Sequence, residues 1–349
     1  MKGMKIGVDF GSYSLRMCTE SNQNAVDEMS AAAFSSDSGE PIVYGRRADV
    51  LDGRTDTDIS VTKMIKNGVI SDFTYAEKIL TAYFSRVCGA RIYKPNVLIT
   101  LPFDVTNIEK KIFLDAVTRA GAGRACLVEG ILASALGVGI SHEKVGGRMI
   151  IDLGHQTTEI GIVSMGTVAA GATVRHGSFD IDSAIIRHLK KDRDIIIGIH
   201  TAKLIKHKIA SAVKRECETS IMTSGKSGID DMPISFEVTS TEIFPFVDEQ
   251  ISSLISEIHS HLQNISPELL SDAADHGITL CGGGALLFDI AERFEKELDI
   301  RCSVAENPEK ARISGIYQIM KNREILENNG YQFIFKDDIR DRLKKYDKI

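Results

Sequence analysis

The pattern of apolar and polar positions along the chain repeats one arrangement twice. Near the N-terminus, an apolar run over 4–10 ends in Asp9-Phe10-Gly11 and a polar turn. A second run over 149–152 ends in Asp152-Leu153-Gly154 in the same way, so the two acids stand 143 positions apart, from 9 to 152. Short apolar runs that end at Gly and polar residues predict buried β-strands. A further apolar stretch follows each turn, so we predict two lobes that begin with the same strand–turn–strand unit.

Helical periodicity separates these strands. Thr106-Asn107-Ile108-Glu109 and Thr239-Ser240-Thr241-Glu242 both fit the capping box that begins a helix, and each precedes apolar residues spaced three to four apart. Helices are also expected over 75–84 and 132–138. A strand over 278–281 runs directly into Gly282-Gly283-Gly284. This alternation predicts an α/β fold with two sheet-centred lobes and a cleft between them.

The same pattern predicts how the chain is divided. The segment after residue 327 is expected to be a loosely ordered terminus, with a docking element for a partner as the alternative. The predicted boundaries are a first lobe over 1–140 with a small peripheral subdomain at about 33–65, a second lobe over 141–311 with a peripheral subdomain at about 181–245, a helix at about 312–327 that returns to the first lobe, and a C-terminal extension over 328–349.

Composition narrows the function classes. The chain has 349 residues, of which 43% are hydrophobic and 26% charged, with a net charge of −6, as expected for a globular protein. No basic cluster suggests a nucleic-acid partner. The six cysteines form no C-x-x-C pair, which favours reduced thiols in a cytosolic protein. The N-terminal segment is too short for a signal peptide, and no apolar run approaches the ~18 residues of a membrane span. We expect a cytoplasmic protein whose membrane contact is peripheral.

The repeated turns have the chemistry of an anion site. Glycine lets backbone N–H groups approach phosphate oxygens, and Ser12 and Ser14 add hydroxyl donors to the first turn. Asp9 and Asp152 are expected to face each other across the cleft and to hold Mg²⁺ through its water shell. The glycine triplet at 282–284 ends a strand, where a base or ribose can lie against bare backbone.

Together these motifs resemble the actin superfamily, and most closely the MreB family of bacterial actin homologues, from residue 4 to about residue 325. The resemblance rests on the two Asp-x-Gly turns and on Gly53-Arg54-Thr55, Lys66–Phe73, Gly121-Ala122, Thr157-Thr158-Glu159, Thr201-Ala202 and Gly282–Leu287. It implies an actin-like ATPase fold, with duplicated ribonuclease-H-like domains around a cleft for ATP and Mg²⁺. The nucleotide contacts it implies are Gly11, Ser12, Tyr13, Ser14, Gly154, His155, Gln156, Thr157, Lys203, Lys206, Gly282, Gly283, Gly284, Ala285 and Leu286.

The resemblance also implies a cellular role. Members of the family form filaments on the inner face of the cell membrane and organise cell shape and cell-wall synthesis. The expected partners are further copies of this chain or related actin-like paralogues, membrane proteins of cell-wall elongation and the inner membrane surface. Ile92 and Tyr93, flanked by Arg91 and Lys94, stand where the family has a lipid-inserting loop and would suit an interfacial anchor. An ordinary loop packed inward is the alternative.

Three departures from the family bear on catalysis. The second turn has His155 and Gln156 in place of two glycines, and these side chains either crowd a γ-phosphate or leave their N–H donors within its reach. Gly130 stands where the family has the glutamate that positions the attacking water, and Lys203 replaces a ribose-binding carboxylate. Losing a water-orienting group costs ~10²–10⁴ in rate, so we expect slow or absent hydrolysis. Thr157 and Glu129 are only weak catalytic candidates. The alternative function is a non-polymerising actin-fold ATPase or regulator of chaperone-like or kinase-like type.

Overall fold

The computed structural model describes residues 4–54, 58–89, 94–141 and 146–339. Its strands are β1 (Lys5–Phe10), β2 (Ser14–Thr19), β3 (Val26–Met29), β4 (Ala32–Ser35), β5 (Pro41–Tyr44), β6 (Ile59–Thr62), β7 (Ile65–Lys66), β8 (Val69–Ile70), β9 (Asn96–Leu101), β10 (Arg124–Glu129), β11 (Arg148–Leu153), β12 (Thr158–Ser164), β13 (Thr167–Val174), β14 (Ile195–Ile196), β15 (Ser220–Ser227), β16 (Pro233–Thr239), β17 (Ile278–Cys281), β18 (Cys302–Val304) and β19 (Ile334–Phe335). Its helices are α1 (Arg46–Leu51), α2 (Phe73–Cys88), α3 (Asn107–Arg119), α4 (Gly130–Gly137), α5 (Ser178–Arg193), α6 (Ile199–Ile209), α7 (Ser240–Leu262), α8 (Pro267–His276), α9 (Ile290–Leu298) and α10 (Ala311–Asn328). None of the helices in these described segments combines the length and the hydropathy that a membrane-spanning helix requires.

The two main sheets share one topology. The first has the order β3-β2-β1-β9-β10, with β19 beyond β10, and the second has the order β13-β12-β11-β17-β18. In both, three consecutive antiparallel strands are followed by two that run parallel to the first. The repeat predicted from the two apolar runs is therefore a repeat of architecture.

The repeat extends to individual hydrogen bonds at the two turns. The Gly11 N–H donates to the Ser14 carbonyl at 3.0 Å, and the Gly154 N–H donates to the Thr157 carbonyl at 2.9 Å. The strand registers also correspond, because Asp9 pairs with Arg16 while Asp152 pairs with Glu159. The same backbone therefore places an acid opposite a base in the first lobe and opposite a second acid in the second lobe.

Helices α4 and α10 form the middle of the molecule, between the two sheets. Helix α10 packs on β1 and β2, whereas α4 packs on β11 and β12. The helices cross at Gly137 and Gly315, where an added Cβ would lie 1.7 Å from the Ala311 carbonyl oxygen or 1.6 Å from that of Ala133. Only glycine fits this crossing. The crossing brings the first turn of α10 next to Asp152, near the C-terminal end of strand β11 in the second sheet.

The two predicted capping boxes have different outcomes. At α3, the Thr106 hydroxyl accepts from the Glu109 N–H while the Glu109 carboxylate accepts from the Thr106 N–H, as predicted. At α7, Thr239 accepts from the Glu242 N–H, but the Glu242 carboxylate contacts His188 and Arg193 instead. The reciprocal half of the second box was therefore wrong, because tertiary partners compete for that carboxylate.

The C-terminal extension is ordered as far as the structure describes it, which corrects the prediction of a loose terminus. Strand β19 pairs antiparallel with β10 and extends the first sheet. Tyr331, Phe333 and Ile339 are buried against the first lobe. Burial of these apolar side chains offsets the entropy that a terminus otherwise retains.

Candidate functional site

The two turns face each other across one cleft with a volume of about 320 Å³. That volume falls in the range of roughly 300–1,000 Å³ typical of small-molecule sites. Both lobes contribute to its walls. The residues predicted for the site that line it are Asp9, Gly11, Ser12, Tyr13, Ser14, Asp152, Gly154, His155, Thr157, Lys203, Lys206, Gly282, Gly283 and Leu286.

His155 and Gln156 occupy different places, although both replace glycines of the family. The Gln156 side chain is not part of the cleft wall, because its amide oxygen accepts from the Asn67 N–H at 3.1 Å in the opposite lobe. His155 lines the cleft, with its ring centroid 5.2 Å from that of Tyr13. Burial, and then the neighbouring Lys203, lowers the pKa of His155 well below its usual value. The second turn therefore presents a neutral ring beside the place expected for phosphate.

The two lysines of α6 differ in their partners. The Lys206 ammonium donates to the Ser178 carbonyl and to the Asp182 carboxylate, both at 2.9 Å. The Lys203 ammonium is buried and has no hydrogen-bond partner, although it lies 4.7 Å from the centroid of the Tyr13 ring. Burial lowers the pKa of Lys203. A buried ammonium without a partner is costly, and an anion in the cleft would supply the missing one.

The floor of the cleft contains a residue that the sequence analysis missed. The Arg312 guanidinium, at the start of α10, donates to Asp152 Oδ2 through Nη2 at 2.7 Å and through Nε at 3.2 Å. The same Nη2 donates to Glu159 Oε1 at 2.6 Å. An arginine in the first turn of a helix matches no motif, and its acidic partners lie more than 150 positions away in sequence. Only the crossing of α4 and α10 brings them together.

Burial is the main cause of the pKa shifts of two acids near Arg312, Glu159 and Asp9. It raises the pKa of Glu159 to about 7, even though Arg312 opposes the shift. It also raises the pKa of Asp9, again against the influence of Arg312. These acids are therefore harder to ionise than ordinary carboxyl groups, and one guanidinium is shared among them.

The predicted Mg²⁺ position does not fit this arrangement well. Water-mediated magnesium binding needs carboxylate oxygens that are free to accept from the ion's water shell. Asp152 Oδ2 instead accepts from Arg312 and from the Ser134 hydroxyl. The role of Asp9 and Asp152 as magnesium ligands stays a prediction, and the geometry does not support it.

The glycine triplet connects the cleft to an apolar recess. Gly282 and Gly283 line the cleft, and Gly283, Gly284 and Leu286 line the recess. Its other walls include Ile181, Ile251, Leu254, Leu287 and Ile290. Ala285 lines neither space, since its side chain lies in the core of the second lobe. The recess offers apolar contacts to a flat ring beside the polar cleft.

The two weak catalytic candidates, Glu129 and Thr157, differ in whether they line the cleft. The Glu129 carboxylate accepts from the Tyr331 hydroxyl and does not line the cleft, so the structure argues against Glu129 as a catalytic group. Thr157 lines the cleft. At Gly130, an added Cβ would lie 2.7 Å from Arg312 Nη1. The guanidinium therefore fills the space where a side chain at position 130 would begin. Ile92 and Tyr93, the predicted membrane residues, lie outside the described residues.

Sequence comparisons place the chain among bacterial cell-shape proteins. The family model described as MreB/Mbl protein matches residues 3–328. The chain belongs to the MreB/Mbl family. Cell shape-determining protein MreB of Escherichia coli (strain K12) is 30% identical over 309 residues, covering 87% of this chain and 89% of that protein. Cell shape-determining protein Mbl of Bacillus subtilis (strain 168) is 28% identical over 304 residues, covering 87% of this chain and 91% of that protein.

Solved structures agree on the fold. MreB5 of Spiroplasma citri bound to AMPPNP superposes with a TM-score of 0.88 at 28% identity, covering 95% of this chain and 100% of that one. The same protein bound to ADP gives the same TM-score. A MamK double helical filament gives 0.77 at 15% identity, covering 92% of this chain and 99% of that one, which is a likeness of fold alone. The predicted actin-like α/β fold is thus confirmed.

Proposed function

We propose that this member of the MreB/Mbl family binds an adenine nucleotide in the cleft between its lobes and assembles into membrane-associated filaments that organise cell shape and cell-wall synthesis. The observation that carries the nucleotide part is the unpartnered Lys203 ammonium, which lies in the wall of a cleft formed by two glycine turns. Backbone N–H groups, a buried cation and an apolar recess together suit phosphates at one end and a flat base at the other.

Nucleotide-bound relatives support this assignment. S. citri MreB5, which shares the fold over 95% of this chain, has been solved with AMPPNP and with ADP. Self-association is supported by the family assignment and by MamK, a protein of similar fold that has been solved as a double helical filament. The filaments would consist of this chain alone or of this chain together with related actin-like paralogues.

Sedimentation tests polymerisation. Micromolar protein, alone and mixed with a paralogue from the same cell, is centrifuged with ATP, with ADP and without nucleotide. We expect material in the pellet that depends on nucleotide and appears as filaments by electron microscopy. Pelleting only in the mixture would indicate a copolymer. A protein that stays in the supernatant under all conditions would instead favour the non-polymerising ATPase or regulator.

Nucleotide binding has its own test. Purified protein is denatured and its adenine-nucleotide content measured, and ATP binding to the emptied protein is then titrated by calorimetry. We expect binding to the wild type and weaker binding to Lys203→Met. If neither protein binds ATP or ADP, the nucleotide part of the proposal fails.

Hydrolysis is expected to be slow or absent. Position 130 carries no carboxylate, and Arg312 fills the adjacent space. The Glu129 carboxylate accepts from the Tyr331 hydroxyl and does not line the cleft. Without a group to orient the attacking water, the rate should fall by ~10²–10⁴ relative to a relative that has one. Phosphate release is measured beside such a relative under identical conditions, and an equal rate would contradict the expectation.

Membrane attachment would come from Ile92 and Tyr93, between Arg91 and Lys94. Pelleting with anionic liposomes should fall when both are changed to Ser. The matched control changes Ile229 and Met232, which are 85% and 60% exposed at the end of the β15–β16 hairpin, to Ser. If only the variant at Ile229 and Met232 lost liposome binding, the membrane contact would be assigned to that hairpin instead.

A further inference from the structure

We propose that the Arg312 guanidinium is the resident cation of the cleft and that the nucleotide binds without a divalent metal ion. This inference rests on the proposed nucleotide binding and deepens it, because it states what neutralises the acidic floor. It arises from the contacts of Arg312 and from the space at Gly130.

The first step is the bonding of the guanidinium. Arg312 Nη2 lies 2.7 Å from Asp152 Oδ2 and 2.6 Å from Glu159 Oε1, so one nitrogen bridges both acids. Arg312 Nε adds a second contact to Asp152 at 3.2 Å. Both carboxylates are almost fully buried. The guanidinium therefore already neutralises Asp152 and takes up the Oδ2 oxygen that the water shell of a metal ion would need.

The second step is the fit of the surrounding wall. A Cβ at position 130 would lie 2.7 Å from Arg312 Nη1, 2.8 Å from its Cζ and 3.1 Å from Glu159 Oε1. Any residue larger than glycine would push the guanidinium away from Glu159. Gly130 and Arg312 therefore form a matched pair, and the wall is shaped to admit this side chain.

The third step is the position of the cation relative to the ligand. Arg312 lines the same cleft as Gly11, Gly154 and Lys203, and its side chain remains 19% exposed. It comes from α10, which is held by the glycine crossing with α4, so its backbone cannot shift easily. The floor therefore has a fixed positive charge before any ligand arrives, and the Lys203 ammonium, which also lines the cleft, is a second cation.

The test compares metal conditions in the intact full-length protein. ATP binding is titrated by calorimetry with millimolar MgCl₂ and with excess EDTA. Sites that bind two ligands cooperatively couple their affinities by roughly 5–150-fold, whereas we expect the two dissociation constants here to differ by less than about threefold. Binding that requires MgCl₂ would overturn the inference and leave nucleotide binding intact. Absence of binding in both buffers would overturn nucleotide binding and this inference with it.

A double variant locates the effect. Arg312→Gln with Glu159→Gln removes the guanidinium together with one of its acids and leaves Asp152 Oδ2 with the Ser134 hydroxyl as its remaining donor. We expect ATP binding to become metal-dependent by at least about fivefold. Lys321→Gln, which removes an exposed cation from the same helix, should behave like the wild type. A double variant that remains indifferent to metal would overturn the role of Arg312.

A measurement without nucleotide keeps the two proposals separate. The Tm of the nucleotide-free wild type is recorded with MgCl₂ and with EDTA, and we expect the same value in both. A Tm that rises with MgCl₂ shows that the floor accepts the metal and overturns the inference, whatever the outcome with ATP. If the double variant does not fold, the wild-type measurements decide alone.

Discussion

The two strand–turn–strand units have the same backbone but different charges. In the first, Asp9 pairs across the strands with Arg16, which in turn contacts Asp27 at 3.0 Å and the Glu309 carbonyl at 2.7 Å. In the second, Asp152 pairs with Glu159, and the compensating cation comes from a distant helix. The two units thus share their backbone hydrogen bonds but differ in the residue that stands opposite the buried acid, although the charge of Arg312 acts on Asp9 as well as on Asp152.

The largest difference between the two units should be in the free energy of unfolding that each loses when its arginine is replaced. Arg312→Gln leaves Asp152 and Glu159 buried without a cation, and at pH 8 we expect the free energy of unfolding to fall by about 3–5 kcal/mol. Arg16→Gln loses contacts to the half-exposed Asp27 and to a carbonyl, and should cost about 1–2 kcal/mol. Urea denaturation of both variants measures this. Equal losses would show that the two copies do not differ in the way described.

The second prediction uses pH. The pKa of Glu159 is raised from 4.5 to about 7, so the folded protein holds a proton that the unfolded chain releases between these values. The contribution of Glu159 to the free energy of unfolding is fully present below pH 4.5 and is lost as the pH rises through about 7, by up to ~3 kcal/mol.

The measurement is the difference in free energy of unfolding between the wild type and Glu159→Gln across this range. It should change with pH in favour of the variant and become constant once the pH is well above the folded-state pKa of about 7. Arg16→Gln serves as the control from the first copy, because arginine keeps its charge throughout. A flat difference for Glu159→Gln would contradict the raised pKa.

The third prediction concerns Lys203, the buried lysine in the cleft wall. Lys203→Met removes a buried ammonium without a hydrogen-bond partner, so the nucleotide-free protein should gain about 1–2 kcal/mol of stability. Its affinity for ATP should fall about tenfold, the loss of one charged hydrogen bond. Lys206→Met is the matched control, because it strands the buried Asp182 and should destabilise the protein. Two variants that shift stability in the same direction would contradict the assignment.

The last prediction compares the two turns themselves. A Cβ at Gly154 would lie 2.4 Å from the Thr157 carbonyl oxygen, whereas a Cβ at Gly11 would lie 3.2 Å from that of Ser14. Gly154→Ala should therefore cost about 1–3 kcal/mol and Gly11→Ala less than about 1 kcal/mol. Thermal unfolding in the absence of nucleotide measures both. A larger loss for Gly11→Ala would show that the second turn is the more adaptable one.

The sequence by itself determined the repeat, the fold class and the family. Apolar runs and glycine turns are local patterns, and the two Asp-x-Gly turns close with the same backbone hydrogen bond. The departures at Gly130 and Lys203 were likewise visible in the sequence, and the structure places Lys203 in the cleft wall and Gly130 against the Arg312 guanidinium. Local chemistry was sufficient for these predictions because the backbone of each unit is decided by residues within a few positions of one another.

Only the tertiary structure decided how the charges are balanced. Arg312 carries no motif, and its contact with Asp152 and Glu159 depends on two helices that cross at Gly137 and Gly315. The ordered tail depends in the same way on β10, whose edge accepts β19, and on Tyr331, whose hydroxyl holds Glu129. Electrostatic energy depends on distance in space and on burial, and neither is encoded in the spacing of residues along the chain.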